Sequence, residues 1–500
     1  MKRPLHGLRA LPALAVALGL AGCPEKRPDT PPPAAQPAPA PVTAAVKDYS
    51  HLPTPGPTPH WAPPAVSTWQ LANGLTVWHL EQGQVPLANA TLVIPRGAAT
   101  DPANKAGTTS LMADMLDEGA GGQDALALGE AFQRLGTDYG ASVSTDSINI
   151  GIDFLADQAE PSLALLQTVL FKPDFPAAEM DRRKAQRMAT LLAAEADPAS
   201  SRGVVLRRML FGEGYGGFPA DGIRSTVEHV RLDDVKAQYK AIFTPDGASV
   251  IVVGALSRAA TETLIQKTFG AWQGTSTAHA AALEPKAADR GIYLVDHPGA
   301  TQSAIAVAER SSGAAASDLF ESQYYNWSLG GAFTSRVNLN LREDKGYTYG
   351  ARSMFNRWRD AGFFSVGALV KAQNTRESID EIQKELAQAG KERPLTDKEV
   401  GEARGGLLLS FPGRFENQGA VAGQLAELPV FGRPADWYTQ WPGRVEAVTA
   451  AQVNAVAQHV APADGYIVVV SGDRKMVEPA LAPLKLPIHI CDAQGNVLTP

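Results

Sequence analysis

Leu329-Gly330-Gly331, Ser335-Arg336-Val337-Asn338, Leu341-Arg342-Glu343 and Gly346-Tyr347-Thr348-Tyr349 follow one another in a single short stretch. The glycine pair permits a tight turn. Val337–Leu341 reads as helix, and Gly346 with the aromatic residues after it opens a strand. Arg342 carries a permanent charge on a rigid donor fork, and Tyr349 carries a phenol. Both are hydrogen-bond donors. They cannot make a nucleophile or activate water. Taken singly, Arg342 reads equally as a helix-surface partner of Glu343 or Asp344, and Tyr349 as an ordinary strand aromatic. Phe355, Trp358, Phe363 and Phe364 read as core.

The chain repeats itself. Val230-Arg231-Leu232-Asp233-Asp234-Val235 leads through a helical pattern to Asp246-Gly247 and then Val250-Ile251-Val252-Val253-Gly254. Val448-Thr449-Ala450-Ala451-Gln452-Val453 leads at the same spacing to Asp464-Gly465 and Val468-Val469-Val470-Ser471-Gly472. Asp-Gly is a turn dipeptide, so each unit reads helix, turn, strand. The shared register indicates a duplicated domain. Strands are expected at Thr76–Leu80, Ala90–Ile94, Gly291–Val295, Ser303–Val307 and Gly362–Leu369. Helices are expected around Leu111–Leu116, Ala125–Leu135, Ala159–Leu170, Phe175–Ala196, Glu321–Leu329 and Arg376–Ala387. Segregated strands and helices indicate an α+β class, each half a mixed sheet with helices on one face.

The Leu329–Tyr349 stretch resembles the C-terminal-half signature of the pitrilysin-like zinc peptidases, the family of insulinase and mitochondrial processing peptidase. The resemblance covers about residues 67–480. It implies two homologous α+β domains that enclose a cleft. It assigns Arg342 and Tyr349 to the pair that holds the substrate's peptide carbonyl, and puts Gly330 and Gly331 beside substrate. The implied bounds are 67–274 for an N-terminal domain, 275–290 for a linker and 291–500 for a C-terminal domain.

The same resemblance implies an inverted zinc motif, H-x-x-E-H, on a helix of the first half. Two His one turn apart can share a metal, and the Glu between them activates the attacking water. The matching segment runs from Ala106 to Leu116. It puts Ser110 and Asp114 at the His positions and Ala113 at the Glu position. Register on Asp197-Pro198 puts Thr190 at the last ligand position. These are degenerate positions and not ligands. The nine His of the chain offer no pair at three or four residues' spacing. No cofactor is therefore expected in this chain, and zinc is expected only in a partner subunit.

Composition bounds the rest. The chain has 500 residues, 44% hydrophobic content and a net charge of −7. That length supports more than one domain. No basic run points to nucleic acid. Lys2, Arg3 and Arg9 precede an apolar run from Leu11 to Leu20, which ends in Leu20-Ala21-Gly22-Cys23. This resembles a bacterial lipoprotein signal over residues 1–23, with Cys23 acylated; the alternative is an ordinary secretory peptide. Residues 24–66 are rich in Pro and Ala, cannot build a core, and read as an extended tether. The expected location is the bacterial cell envelope, lipid-anchored and facing the periplasm. Cys491 is then the only remaining cysteine, so the mature chain has no intrachain disulfide.

Two functions of different class remain open. The first is the non-zinc subunit of a heteromeric metallopeptidase, inactive alone, with a zinc-bearing homologous subunit as partner and a peptide or protein as substrate. The second is an inactive peptidase-like scaffold or peptide-binding protein. An autonomous zinc peptidase ranks below both, because Ser110, Ala113 and Thr190 cannot replace ligands and base.

Overall fold

Residues Val250 and Val252 of one strand join one hydrophobic cluster, while Ile251 and Val253 of the same strand join another. A strand's side chains alternate between faces, so this sheet is covered on both sides. The computed structural model describes Gly56, Trp61 and residues 63–83, 85–284, 287–460 and 465–498. Cys23, most of the predicted tether and Asp464 lie outside the described residues.

The first half contains strands β1 (Ser67–Gln70), β2 (Thr76–Glu81), β3 (Leu87–Ile94), a small hairpin of β4 (Gly119–Ala120) and β5 (Gln123–Asp124), β6 (Tyr139–Val143), β7 (Ile148–Leu155) and β8 (Ser249–Gly254). Its helices are α1 (Thr108–Asp114), α2 (Ala125–Arg134), α3 (Ala159–Phe171), α4 (Ala177–Ala196), α5 (Pro198–Phe211), α6 (Arg224–Val227), α7 (Leu232–Ile242) and α8 (Arg258–Phe269). The second half has β9 (Gly291–Asp296), β10 (Gln302–Ser311), β11 (Thr348–Arg357), β12 (Gly362–Lys371), β13 (Ile467–Gly472) and β14 (Ile488–Cys491). Its helices are α9 (Leu319–Asn326), α10 (Arg336–Asn338), α11 (Thr375–Ala389), α12 (Asp397–Ser410), α13 (Gln418–Val430), α14 (Trp437–Glu446), α15 (Ala450–His459) and α16 (Arg474–Leu481).

The two six-stranded sheets have one topology. The first runs β1-β2-β8-β3-β7-β6 and the second, reversed, β14-β9-β13-β10-β12-β11. In both, the second and third strands are parallel and the remaining inner pairs antiparallel. The repeated helix–turn–strand units are α7–β8 and α15–β13. The outermost strands differ: β1 is antiparallel to β2, whereas β14 is parallel to β9.

One face of each sheet packs on its own half's helices. In the first half, Leu111 and Met112 of α1 and Leu163 and Leu166 of α3 meet Leu92, Ile150 and Val250. The other face is covered by a helix lent from the opposite half. Val421, Leu425 and Leu428 of α13 join Trp78, Val93, Ile251 and Val253 of the first sheet. Val205, Met209 and Phe211 of α5 join Tyr293, Ala306 and Val469 of the second. This exchange adds a second covered face to the one that the sequence predicts. Helix α5 starts where it does because Asp197 accepts a 2.7 Å hydrogen bond from the Ser200 amide and Pro198 stands in the first turn.

Polar contacts reinforce the exchange. The Arg359 amide donates to Asp146 at 2.8 Å, and its guanidinium reaches the carbonyls of Pro95 and Val430. The predicted linker is tied down as well: the Ala281 amide donates to Ala99 and the Ala288 amide to Met209. Phe363, Phe364 and Trp358 are buried, as their core reading requires.

Candidate functional site

The first half of the site is built on α1 and α4. Asp101 fixes the start of α1: its carboxylate accepts from the amides of Gly107 at 2.8 Å and Thr109 at 2.9 Å. Burial pushes the Asp101 carboxyl up to about 6. Along α1, Ser110 and Asp114 lie one turn apart and share a face. Facing them is not a metal-binding set but a guanidinium. Arg187 of α4 donates to Ser110 Oγ at 2.9 Å, to Asp221 Oδ1 at 2.7 Å and to Asp114 Oδ2 at 2.6 Å. Ser110 also donates to Asp221 Oδ1 at 2.8 Å.

Burial pushes the Asp114 carboxyl up, and Arg187 and Arg183 oppose it. A neighbouring carboxylate, buried Glu118, accepts from both Arg182 and Arg183. Ala113 is buried and has nothing to accept a proton with. Thr190 stands exposed on α4, and its hydroxyl turns back to the Gln186 carbonyl at 3.2 Å. The structure thus brings Ser110 and Asp114 together and leaves Thr190 apart from them in bonding.

This donor set does not fit zinc. It offers hydroxyls, a methyl group and one carboxylate already committed to a guanidinium, where the ion needs imidazole, thiolate or free carboxylate. Among the described residues, no three His, Cys, Asp or Glu side chains gather to hold a metal. Sequence reasoning missed Arg187 and Asp221. The available signal was Arg187 itself, one helical turn before Thr190 and therefore on the same face.

The second half of the site lies on the edge strand β11 and the turns before it. A π-helical turn over Trp327–Gly331 carries the two glycines, and another over Leu339–Asp344 carries Arg342. Gly330 is buried against β11: a Cβ there would stand 2.4 Å from the Ser353 amide nitrogen. Gly331 is exposed. The close approach of turn to strand is thus what Gly330 provides. Buried Asn338 ties the parts together, accepting from the Ala351 amide at 3.1 Å and donating to the Phe333 carbonyl at 2.7 Å.

Arg336 and Arg342, six residues apart in number, have different surroundings. Arg336 forks onto Glu399 at 2.6 and 2.8 Å. Burial pushes the Glu399 carboxyl up, but the Arg336 fork and Thr396 outweigh it and hold it at about 2. Arg336 is therefore a staple between α10 and α12. Arg342 is half-exposed, 3.1 Å from Glu343 and 4.6 Å above the Phe333 ring. The turn carrying it packs on β11. Pairing of β11 with β12 slips between Thr348 and Ala351, so Tyr349 and Gly350 form a bulge. A bulge re-aims side chains, and Tyr349 is 88% exposed. Chemically, this half presents a phenol on the edge strand and a guanidinium on the turn packed against it.

Both halves are matched by family models. Residues 77–212 match "Insulinase (Peptidase family M16)" and residues 229–407 match "Peptidase M16 inactive domain". The chain is 22% identical over 402 residues to the "Non-peptidase homolog YmxG" of Helicobacter pylori, covering 79% of this chain and 91% of that protein. It is 23% identical over 308 residues to the "Uncharacterized zinc protease YmxG" of Bacillus subtilis, covering 61% and 74%. The crystal structure of a peptidase M16 inactive domain from Pseudomonas fluorescens superposes with a TM-score of 0.75 at 25% identity, over 82% of this chain and 98% of that one. A protease from Helicobacter pylori superposes with a TM-score of 0.73 at 16% identity, over 82% and 99%, which is likeness of fold. With both sheets and both halves matched, this chain belongs to the insulinase peptidase family M16, as a peptidase-like homologue of the inactive type.

Proposed function

We propose that this chain is the non-zinc subunit of a heteromeric metallopeptidase of the bacterial cell envelope. A homologous partner subunit carries the zinc, the base and the activated water. This chain contributes Arg342 and Tyr349 to the peptide carbonyl as negative charge develops on its oxygen, with Gly330 and Gly331 beside the substrate. The observation that supports this reading is the unequal fate of the two half-sites. The metal half is closed by Arg187, whereas Tyr349 stands in solvent on a bulged edge strand. A phenol kept in that position has no packing role to explain it.

Co-purification from the native envelope followed by mass spectrometry tests the partnership. The expected result is a chain of the same family that carries H-x-x-E-H. Recovery without any such chain contradicts it. Anchoring through Cys23 is tested alongside: wild type should partition into the detergent phase and Cys23→Ser should not.

A second reading is a peptide-binding scaffold with no part in catalysis. Two observations favour it. One Helicobacter pylori relative is named a non-peptidase homologue, and Arg342 already has Glu343 and Phe333 as neighbours.

A further inference from the structure

A cavity of about 520 Å³ lies between α5, the helix lent by the first half, and the second sheet. Three arginines line it: Arg202 and Arg207 from α5, and Arg352 from β11. Among the described residues, no Asp or Glu lines it. Among the described residues, none of the three arginines makes an ion pair. Arg202 Nη1 reaches only the Ile305 carbonyl at 3.3 Å, and its buried Nε has no partner. Arg207 donates to the Phe218 carbonyl at 2.7 Å and lies 4.6 Å over the Trp358 ring. Arg352 reaches only the carbonyls of Ala332 and Ala351, both at 3.5 Å.

Three other guanidiniums that are mostly buried are matched with acids: Arg187 with Asp114 and Asp221, Arg336 with Glu399, Arg357 with Asp318. Burying an unpaired charge is costly. Burial pushes Arg207 down to about 10, so it remains charged at neutral pH. Burial also pushes Arg202 down, with Asp197 opposing from a distance.

The walls leave room for an occupant. Gly203 stands in the middle of α5, where glycine costs about 1 kcal/mol relative to alanine. A Cβ there would meet nothing within 4 Å. Gly367 of β12 lets the Arg202 guanidinium lie against the strand, since a Cβ would stand 3.2 Å from its Nη1. Beside the charges, Met354, Phe363 and Leu369 supply an apolar wall, and Met354 is 51% exposed. Arg352 and Met354 both belong to β11, which among the described residues pairs on one side only. Its free edge can take an extended chain as a further strand.

We propose that this cavity is a carboxylate pocket for an acidic peptide. Arg202, Arg207 and Arg352 hold an Asp or Glu side chain of the peptide, while Met354, Phe363 and Leu369 take an apolar neighbour. The peptide as ligand rests on the peptide-handling reading above; the pocket does not depend on a zinc-bearing partner.

The test uses the purified full-length chain alone and fluorescence anisotropy. The probes are a short labelled peptide alternating Glu and Val, and the same peptide with Gln in place of Glu. The Glu peptide should bind at least about tenfold more tightly than the Gln peptide. Arg352→Gln and Arg202→Gln should each weaken the Glu peptide about tenfold and leave the Gln peptide unchanged. Arg352 has only long contacts within the fold, so its variant folds even where Arg207→Gln does not. Equal binding of both peptides, no binding of either, or full binding by both variants overturns the pocket. Free glutamate that competes as strongly as the peptide overturns the peptide assignment. Because no partner is present, these outcomes are separate from the fate of the heteromeric peptidase.

Discussion

The degenerate zinc half and the Arg–Tyr half differ in how their charges are spent. In the first, Asp114, Asp221 and Ser110 all close on Arg187. In the second, Tyr349 is 88% exposed, and Arg342 has one flanking acid and a ring face. The α1–α4 cluster closes its charges on one another and so serves the fold. The difference also separates two arginines of one signature: Arg336 is consumed by Glu399 of α12, whereas Arg342 pairs with its neighbour Glu343 and lies over the Phe333 ring.

The strongest way to break the comparison is to restore the metal half. Ser110→His, Ala113→Glu, Asp114→His and Thr190→Glu together recreate the family's pattern. With Arg187 in place, its positive charge repels a divalent ion within a few ångströms. Adding Arg187→Ala to the four changes should tighten zinc binding by about tenfold or more, a magnitude typical of groups just outside a metal's ligand shell. Calorimetry or a chromogenic zinc competitor reads the difference. Equal affinity with and without Arg187 shows that the guanidinium does not guard the site.

Next in size is the stability carried by Arg187. Its side chain is 12% exposed, but Asp114 and Asp221 are more open to water, which tempers the loss. Arg187→Ala should cost about 1–3 kcal/mol in urea unfolding. A loss below about 0.5 kcal/mol removes the claim that this cluster is structural.

A smaller effect distinguishes Arg336 from Arg342 by pH. The folded pKa of Glu399 is about 2, below the unfolded value of about 4.3. Its stabilisation is therefore present above the unfolded value and is lost as pH falls towards 2. Glu399→Gln should be less stable than wild type at neutral pH, and the gap should close across that acid window. A gap that persists at pH 2 contradicts the staple.

The smallest effect is expected at the open half. Tyr349→Phe should change stability by less than about 0.5 kcal/mol, as exposed positions do. A larger loss means that the phenol serves the fold after all.

Much of the fold was legible in the sequence. The two repeats share residue spacing, an Asp-Gly dipeptide and a terminal glycine in the sequence, and these mark β8 and β13, equivalent strands in both sheets. Predicted strand ends fall short where pairing extends them: Ser303–Val307 lies inside Gln302–Ser311, and Ala90–Ile94 inside Leu87–Ile94. The exchange of α5 and α13 was not legible. A helix's apolar stripe says that it is buried, but not on which sheet. In the site, Ser110, Ala113 and Thr190 were legible as side chains that make poor metal donors. Arg187 was not found, because a cation is not what a search for metal ligands looks for. The carboxylate pocket was also hidden: Arg202, Arg207 and Arg352 meet only once the two halves pack.

The central claim is that this chain lends Arg342 and Tyr349 to chemistry that it cannot start itself. The direct measurement is peptide turnover by the complex with a zinc-bearing partner of the same family, formed with wild type, Arg342→Ala, Arg342→Lys or Tyr349→Phe and confirmed by size. Loss of one preorganised oxyanion donor costs around a hundredfold or more in turnover. Arg342→Ala and Tyr349→Phe should each show a loss of that order with assembly intact, and Arg342→Lys should not restore the rate, because a point charge lacks the fork. Near wild-type turnover from both Arg342→Ala and Tyr349→Phe would contradict the claim and leave the peptide-binding scaffold standing.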